Sequence, residues 1–364
     1  MSVIKPKLFI ILLVMMILVS GCSTPAVSEE NVPSTEPVQT VSTESPVDAA
    51  PEVTGELVIY SGRSEPLIQP VINAFKAKHP NVEILLKAGS NSELANALIE
   101  EQANPQADVF ITTELITVQS LAQMGVFQSY MPTGSDQLPA EFLGTDNMWT
   151  GLTRRARVIM YNKDLVSENE LPASIFDLTD PKWKGQIAAA GSTNGSMQAQ
   201  IAAMRQLLGE EATEEWLNGL LANEVTFFGG HTDVRKAVGA GEFKLGLVNH
   251  YYYYLQQAEG SNVGVIFPDQ ADGQIGLITN ATAAAVVNGS AHTAAAHAFL
   301  DFLVSADGQK LFAEQNYEYP LLPGVVLHKA VEPLDGFRFV DVDIVKAALE
   351  SDATFDLIEK VGLP

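Results

Sequence analysis

The residues best suited to chemistry in this chain are four consecutive tyrosines, Tyr251, Tyr252, Tyr253 and Tyr254, within the segment NHYYYYLQQAEG. Neighbouring side chains on a helix point about 100° apart, so a run of four reaches every face and cannot lie wholly in a core. At least one or two of these phenols must face solvent, a cleft or a ligand. The run therefore indicates ligand binding in a cleft, with an amphipathic packing face as the alternative.

Motifs for catalysis or nucleotide binding are weak or missing elsewhere in the sequence. No strand is followed by a glycine-rich dinucleotide motif, a Walker loop or a G-x-S-x-G nucleophile elbow, and the six histidines are scattered. No nucleophile has a base beside it, so the sequence does not predict an enzyme. The segment GSTNGS at 191–196 precedes a helical pattern, which is typical of anion binding at a helix N-terminus or of an ordinary capped loop.

The N-terminal segment predicts export and lipid attachment. Lys5 and Lys7 precede an apolar run at 8–19, which is too short to cross a membrane and fits the core of a secretory signal. The run ends in VSGC, which resembles the lipobox of bacterial lipoproteins and implies a signal over residues 1–22 with lipidation at Cys22. The alternative is a free thiol after an ordinary signal. Cys22 is the only cysteine, which excludes a disulfide and a thiolate metal site.

Amino-acid composition distinguishes a tether near the N-terminus from the folded, functional part of the chain, which follows it. Residues 23–54 are rich in Ser, Thr and Pro, carry six acidic residues and no Lys or Arg, and predict a disordered tether. The remainder, from residue 55, is long enough for two domains. The chain has 21 basic and 44 acidic residues, a formal charge of −23, which excludes nucleic acid as a partner.

Short β-branched runs alternate with helical patterns in this functional part. Ser90 and Glu93 have the spacing of a helix capping box, Pro66 suits the first turn of a helix, and Gly125 suits a helix end. Strands alternating with helices predict an α/β fold with parallel units, and the number of strands favours two sheets and hence two lobes. Strands are predicted at 56–60, 82–87, 107–112, 157–162, 186–190, 225–228, 245–249 and 263–267.

Several segments, occurring in one order between about residues 55 and 335, carry a family resemblance. They are LVIYSGRSEPLIQPVINAFKAKHPNVEI, ADVFIT, GLTRRARVIMYNK, DPKWKGQIA, VNHYYYY and EYPLLPGV. Together they resemble the periplasmic ferric-ion-binding proteins, the solute-capturing subunits of iron(III) ABC importers. The resemblance implies a two-lobed α/β periplasmic binding protein fold of type II, in which two crossing strands join the lobes and the ligand lies in a central cleft.

The resemblance also implies lobe boundaries. We expect an N-terminal lobe formed by 55–154 plus 280–330, and a C-terminal lobe formed by 155–279 plus 331–364. The helices after about residue 331 are expected to pack on the C-terminal lobe.

By position in the family pattern, Tyr251 and Tyr252 are the expected iron ligands. Fe(III) is a small, hard cation that prefers anionic oxygen over imidazole or thiolate. A phenol has a pKa near 10, but a bound trivalent cation favours the phenolate enough to remove its proton. If a helix begins just after strand 245–249, both leading tyrosines face the cleft. Tyr253 or Tyr254 then packs against the lobe, although Tyr254 could also replace a missing ligand.

Elsewhere the sequence departs from the family pattern. Ser64 and Thr113 stand where relatives often place a histidine or tyrosine and an acidic ligand, and Asn194 or Ser196 stands where some place a third tyrosine. Iron is therefore expected to complete its coordination with a bound anion, carbonate or phosphate, and water. The positions that match anion contacts in relatives are Arg155, ranked above Arg157, together with Asn194, Gly195, Ser196, His231 and Asn249.

These observations predict a function. The expected protein is a lipid-anchored, extracytoplasmic solute-binding subunit, monomeric and not an enzyme, which captures Fe(III) with an anion for the permease and ATPase of an ABC importer. The nearest alternative is the same fold carrying thiamine, a polyamine or an organophosphonate. A more distant one is a lipid-anchored hydrolase, for which the sequence offers no catalytic cluster.

Overall fold

The computed structural model describes residues 52–364. The predicted signal at 1–22 with Cys22, and the predicted tether up to residue 51, lie outside the described residues. Between residues 52 and 364, no helix is both long enough and apolar enough to span a bilayer.

The described chain alternates strands and helices over most of its length. The strands are β1 Gly55–Ser61, β2 Val82–Ala88, β3 Val109–Thr112, β4 Phe127–Gln128, β5 Thr150–Asn162, β6 Ile187–Ala190, β7 Thr226–Phe228, β8 Leu245–Asn249, β9 Val263–Ile266, β10 Thr279–Val287 and β11 Tyr319–Pro320. The helices are α1 Glu65–Lys78, α2 Asn91–Glu100, α3 Leu115–Gln123, α4 Gly195–Leu208, α5 Glu210–Ala222, α6 His231–Gly239, α7 His250–Ala258, α8 Thr293–Val304, α9 Ala306–Asn316, α10 Ile344–Leu349 and α11 Ser351–Val361. Short 3₁₀ turns fill several connections.

Local sequence signals account for the early elements. Ser90 caps α2 by accepting a hydrogen bond from the Glu93 backbone N–H at 3.2 Å. Pro66 lies in the first turn of α1, where its missing N–H has no cost. Gly125 adopts a left-handed backbone (φ 74°) just after α3, as expected of a residue that ends a helix.

Two groups of strands share the long strand β5. In the first group β2, β1 and β3 run parallel, and β10 joins them in antiparallel orientation. In the second group β7, β6 and β8 run parallel. Residues 150–156 of β5 pair with β10, whereas residues 157–162 pair with β8 and β9. The two predicted sheets are therefore connected through β5 into one path of hydrogen-bonded strands.

The start of strand β5 differs from the start predicted from the sequence. The strand was expected to begin at Arg157, but it begins at Thr150. Arg154 and Arg155 interrupt the apolar pattern of this segment, which hides its strand character. Arg155 and Arg157 are nevertheless buried, because both side chains point from the same face of β5 toward the site described below.

Buried apolar residues divide into cores that lie on the two sides of β5. One core is built from β1–β4, α1–α3, β10, α8 and α9, which we call the first lobe. The remaining core residues come mainly from β6–β9, α4–α7 and α11, which we call the second lobe. We propose that the lobe boundaries expected from the sequence fall where β5 and β10 run side by side.

The C-terminal helices do not all lie on one lobe. Helix α11 packs against α4 and α5 of the second lobe. Helix α10 packs against α3 of the first lobe as well as α4, because Ile344 at its start lies against the first-lobe core. The segment after residue 331 therefore bridges both lobes.

Candidate functional site

A cavity of about 70 Å³ lies between the two lobes beside β5. The first lobe contributes the loop after β1 and the loop after β3, and the second contributes the starts of α4, α6 and α7. The lining residues are Gly62, Arg63, Ser64, Leu67, Thr113, Arg155, Asn194, Ser196, His231, Tyr251 and Tyr252.

Most residues singled out from the sequence meet at this cavity. Eight of the ten line it: Tyr251, Tyr252, Arg155, Asn194, Ser196, His231, Ser64 and Thr113. Gly195 lines an adjoining cleft of about 430 Å³, which shares Ser64, Thr113 and Tyr252 with the cavity. Asn249 does not line the cavity, because its amide donates to the Ser196 hydroxyl at 3.1 Å and accepts from Arg157 at 3.3 Å.

The two leading tyrosines form one wall of the cavity. Helix α7 begins directly after β8, so Tyr251 and Tyr252 lie in its first turn. Their ring centroids are 4.2 Å apart, and the Tyr252 ring meets His231 edge-on at 5.1 Å. Burial and the neighbouring Tyr251 hold the pKa of the Tyr252 phenol well above its ordinary value, although Arg63 and Arg155 act in the opposite direction. The Tyr252 phenol is therefore protonated at neutral pH.

The two following tyrosines belong to the core of the second lobe. Tyr253 and Tyr254 are buried among apolar residues and do not line the cavity. The Tyr253 hydroxyl accepts a hydrogen bond from the Gln257 amide at 2.8 Å, and the Tyr254 hydroxyl accepts one from the Glu332 backbone N–H at 2.8 Å. Both phenol oxygens thus have partners within the protein.

His250 fixes the start of α7 against β5. The Ala156 N–H, at the point where β5 passes from one strand group to the other, donates to His250 Nδ1 at 3.2 Å. The proton of the neutral ring must then lie on Nε2, which donates to the Tyr317 carbonyl at 2.9 Å. Burial lowers the pKa of His250 to about 3, and Arg155 acts in the same direction, so the ring stays neutral.

Two buried arginines stand one behind the other at the cavity. Arg155 lines it and donates to the Ala281 carbonyl at 3.2 Å. Arg157 lies behind, where it donates to Gln200 at 2.8 Å and contacts His231 Nε2 at 3.0 Å. Because a guanidinium only donates, His231 must accept at Nε2. Arg155 therefore faces the cavity, and Arg157 supports the residues around it.

The charges of these arginines are not neutralised by ion pairs, and the carboxyl that interacts with Arg155 is the buried Glu114, whose pKa is raised by burial and lowered by its hydrogen bonds and by Arg155. Neither Arg155 nor Arg157 forms an ion pair with any residue in the described part of the chain. Nε of Arg155 and one Nη of Arg157 are buried without a hydrogen-bond partner. Burial, and then the nearby Arg155, lower the pKa of Arg157 to about 9. Burial and the two guanidinium groups also lower the pKa of His231 well below its ordinary value. The site thus favours an anion over a further cation.

The sequence reasoning missed Arg63 and its partner Glu318. Arg63 lines the cavity, forms an ion pair with the fully buried Glu318, and donates to the Thr282 hydroxyl at 2.8 Å. Burial alone would lower the pKa of Arg63, but Glu318 and the nearby Tyr251 leave it raised. The available signal was the position of Arg63 at the carboxyl end of a parallel strand, where ligand-binding residues commonly gather.

Several helices begin at the cavity. Helices α1, α4 and α7 start beside it, and His231 is the first residue of α6. Asn194 caps α4 by accepting a hydrogen bond from the Ser196 backbone N–H at 3.1 Å. The N-terminal ends of helices carry partial positive charge, so their convergence adds to the attraction for anions.

No carboxylate lines the cavity. Glu114, one residue beyond Thr113, instead caps α3 by accepting the backbone N–H groups of Ile116 at 2.7 Å and Thr117 at 3.0 Å. Within residues 52–364, no group of three or more His, Cys, Asp or Glu side chains is arranged to hold a metal ion. A metal ion bound at this cavity would therefore depend on the tyrosines and on oxygen atoms brought by a ligand.

Comparison with known proteins places this architecture among solute-binding proteins. Residues 104–348 match the family of bacterial extracellular solute-binding proteins. The chain is 34% identical over 307 residues to iron uptake protein A1 of Synechocystis sp., which covers 82% of this chain and 84% of that protein.

Solved structures of related proteins show the same architecture. The iron-bound HitA of Pseudomonas aeruginosa superposes with a TM-score of 0.78 at 29% identity, covering 84% of this chain and 99% of that one. The Trichodesmium protein in complex with iron and citrate superposes with a TM-score of 0.69 at 30% identity, covering 85% and 99%. These likenesses confirm the predicted fold class, a two-lobed α/β periplasmic binding protein.

Proposed function

Since this chain belongs to the ferric-ion-binding periplasmic protein family, within the bacterial extracellular solute-binding proteins, we propose that it captures Fe(III), or a small ferric complex, for an ABC importer. Relatives with related sequences carry names such as iron uptake protein and Fe(3+)-binding periplasmic protein. They are solute-binding transport proteins rather than enzymes, and we propose the same for this chain.

The observation that carries this proposal is the pairing of Tyr251 and Tyr252 in a cavity that is also lined by Arg155, a buried arginine without an ion-pair partner among the described residues. Two phenolates would supply the anionic oxygen that Fe(III) prefers. Each phenol would release its proton to solvent as it binds the metal, because the trivalent charge strongly stabilises the phenolate.

A bound anion would complete the coordination. Two phenolates offset two of the three charges of Fe(III), and Arg155 and Arg157 add two further positive charges nearby. A multivalent anion such as carbonate or phosphate would reduce this excess while supplying oxygen ligands. The guanidinium of Arg155 and the N-terminus of α4 at Asn194, Gly195 and Ser196 are the groups we propose to hold it.

The geometry favours some alternative solutes over others. Polyamines and thiamine are cations, and a cavity with lining arginines and no lining carboxylate disfavours them. An organophosphonate is an anion, and Arg63, Arg155 and the helix N-termini would suit it. It is therefore the second candidate function.

The cellular setting of the proposal rests on the sequence. We propose that the signal at 1–22 directs export and that lipid attached at Cys22 holds a monomeric protein to the membrane, on the extracytoplasmic side. From there it would deliver its solute to the permease and ATPase of the importer.

The direct test is to load the protein with ferric citrate, remove excess iron, and measure metal content and the visible spectrum. We expect about one iron per chain and a red to purple colour from charge transfer between phenolate and iron. The control is the same protein treated with citrate alone, which should stay colourless. A protein that retains no iron would contradict the proposal. In that case, an increase in thermal stability with an alkylphosphonate would favour the second candidate.

A further inference from the structure

Gly195, the first residue of α4, touches the opposite lobe so closely that no side chain fits. A Cβ atom at this position would lie 2.5 Å from Asn91 Nδ2 and 3.1 Å from Glu114 Cγ. Asn91 begins α2 and Glu114 precedes α3, so both belong to the first lobe, whereas Gly195 belongs to the second. The lobes therefore meet here without room for one methyl group.

The backbone itself does not require glycine at this position. Gly195 is not among the residues with positive φ, and it lies in the first turn of a helix, where alanine is readily accommodated. Alanine is a better helix former than glycine and restricts the unfolded chain more strongly. Only the contact with the first lobe explains why a side chain is excluded.

Asn91 is restrained by contacts within its own lobe. Its side-chain amide donates to the Thr113 hydroxyl at 2.7 Å and accepts from the Thr113 backbone N–H at 3.3 Å. On its other side Gly62 lies so close that a Cβ atom there would be 1.8 Å from Asn91 Oδ1. Asn91 thus fills a slot between one glycine of its own lobe and one of the opposite lobe.

We propose that Asn91 and Gly195 form the closure contact, the point at which the second lobe seats on the first when the cleft shuts over its solute. This inference rests on the proposed function, because closure matters only for a protein that captures a solute between its lobes. Ser64 and Thr113 of the first lobe line the cavity together with Tyr252 and His231 of the second, so the same closure would bring these residues together. Gly195 is therefore a positioning residue, which sets how closely the two halves of the site approach.

The test is the full-length G195A variant, measured for iron affinity by competition with citrate. A methyl group would hold the lobes apart by roughly 1 Å, and overpacking of this size weakens the closed state by roughly ten- to a hundred-fold. We expect iron affinity to fall by that factor. The melting temperature of the iron-free protein should stay level or rise slightly, because the open protein gains a better helix former.

The matched control is G229A, in the loop between β7 and α6, which lines the same adjoining cleft as Gly195. A Cβ atom at Gly229 would meet no atom within 4 Å, and its backbone does not have positive φ. We expect G229A to bind iron within about two-fold of the wild type. Equal losses in G195A and G229A would overturn the inference.

A second variant separates the lobe contact from a clash with the solute. In N91A/G195A the Asn91 Nδ2 and Cγ atoms, which would lie 2.5 and 3.5 Å from the added methyl, are gone, whereas Glu114 Cγ at 3.1 Å remains. The loss of iron affinity in this double variant should be smaller than the losses in N91A and G195A combined. The reason is that the two residues contact each other only in the closed state. Additive losses would overturn the proposal.

Hydrogen exchange of the full-length protein gives a readout independent of affinity. Ferric citrate should slow exchange at the starts of α2 and α4 in the wild type and much less in G195A. If the wild type binds no iron, the proposed function fails, and the closure contact is then judged with an alkylphosphonate as the solute. Slower exchange at both helix starts in the wild type than in G195A, with the alkylphosphonate present, supports the contact, and equal exchange overturns it.

Discussion

The tyrosine run divides into a front pair, Tyr251 and Tyr252, and a rear pair, Tyr253 and Tyr254. The two pairs are chemically identical and differ only in what surrounds them. Tyr251 and Tyr252 line the cavity, near Arg63 and Arg155. Tyr253 and Tyr254 lie one step further along α7, among apolar side chains, and their oxygens accept hydrogen bonds within the protein. A phenol oxygen left free at a cavity can bind a ligand, whereas the same oxygen with an internal partner stabilises the fold.

The contrast follows from the position of the run in the chain. Strand β8 ends at Asn249 and α7 begins at His250, so the first turn of the helix points at the space between the lobes. The helical rotation then carries Tyr253 and Tyr254 onto the face that packs against the second lobe. Substitutions of tyrosine by phenylalanine, which keep the ring and remove only the oxygen, test this division directly.

The largest effect is expected when both front oxygens are removed. In Y251F/Y252F the cavity keeps its shape but loses the only anionic oxygen ligands that the proposed site supplies. We expect retained iron and colour to be abolished, with the melting temperature of the empty protein nearly unchanged. Metal analysis, the visible spectrum and thermal unfolding would measure this. Normal iron binding by the double variant would contradict the proposal that Tyr251 and Tyr252 bind Fe(III).

Each single front variant should also bind much less iron. Loss of groups that merely orient metal ligands costs about 10- to 100-fold in affinity, so loss of a ligand itself should exceed about 100-fold. Competition with citrate would measure the loss in Y251F and in Y252F. A variant that binds like the wild type would place its tyrosine with the rear pair rather than the front pair.

The pH dependence of iron binding should distinguish one phenolate from two. Each phenol must release a proton to bind the metal, so acidification opposes binding and affinity falls as pH falls. Each proton released contributes about a ten-fold change in affinity per pH unit. We therefore expect the affinity of the wild type to fall more steeply than that of Y251F, by about ten-fold per pH unit. Both proteins would be measured against the same citrate competitor, and parallel slopes would contradict two phenolate ligands.

The sequence predicted the elements whose signals are local. Short β-branched runs located β1 to β3 and β6 to β9, and the spacing of Ser90 and Glu93 located the start of α2. The tyrosine run stood out because four neighbouring side chains cannot share one environment. Most predicted site residues follow a strand end or begin a helix, where side chains of separate segments converge, and Arg155, in the middle of β5, is the exception.

What the sequence did not reveal depends on contacts between distant segments. Arg63 and Glu318 are 255 residues apart, and neither has a local pattern that indicates an ion pair. The first half of β5 was missed because its arginines resemble surface residues until burial against the site is known. The contact between Gly195 and Asn91 is likewise visible only when the two lobes are seen together.

A smaller effect, on stability rather than on binding, is expected at Tyr254. Its hydroxyl accepts the Glu332 backbone N–H at 2.8 Å, which ties α7 to the segment after α9. Y254F should lower the free energy of unfolding by about 1 kcal/mol, the usual net contribution of one hydrogen bond. This corresponds to a melting temperature about 2 °C lower. Colour and iron affinity should stay unchanged, and loss of either would mean that Tyr254 acts as a ligand.

The smallest effect is expected at Tyr253. The Tyr253 ring is buried and phenylalanine preserves its packing, while its hydroxyl partner Gln257 is exposed and can bind water instead. Y253F should therefore change the free energy of unfolding by no more than about 0.5 kcal/mol and leave iron affinity unchanged. Thermal unfolding and citrate competition, run beside Y252F, would measure both quantities on adjacent residues of one helix. A shift of the visible band in Y253F would show that its oxygen affects the metal, and the division between front and rear tyrosines would then fail.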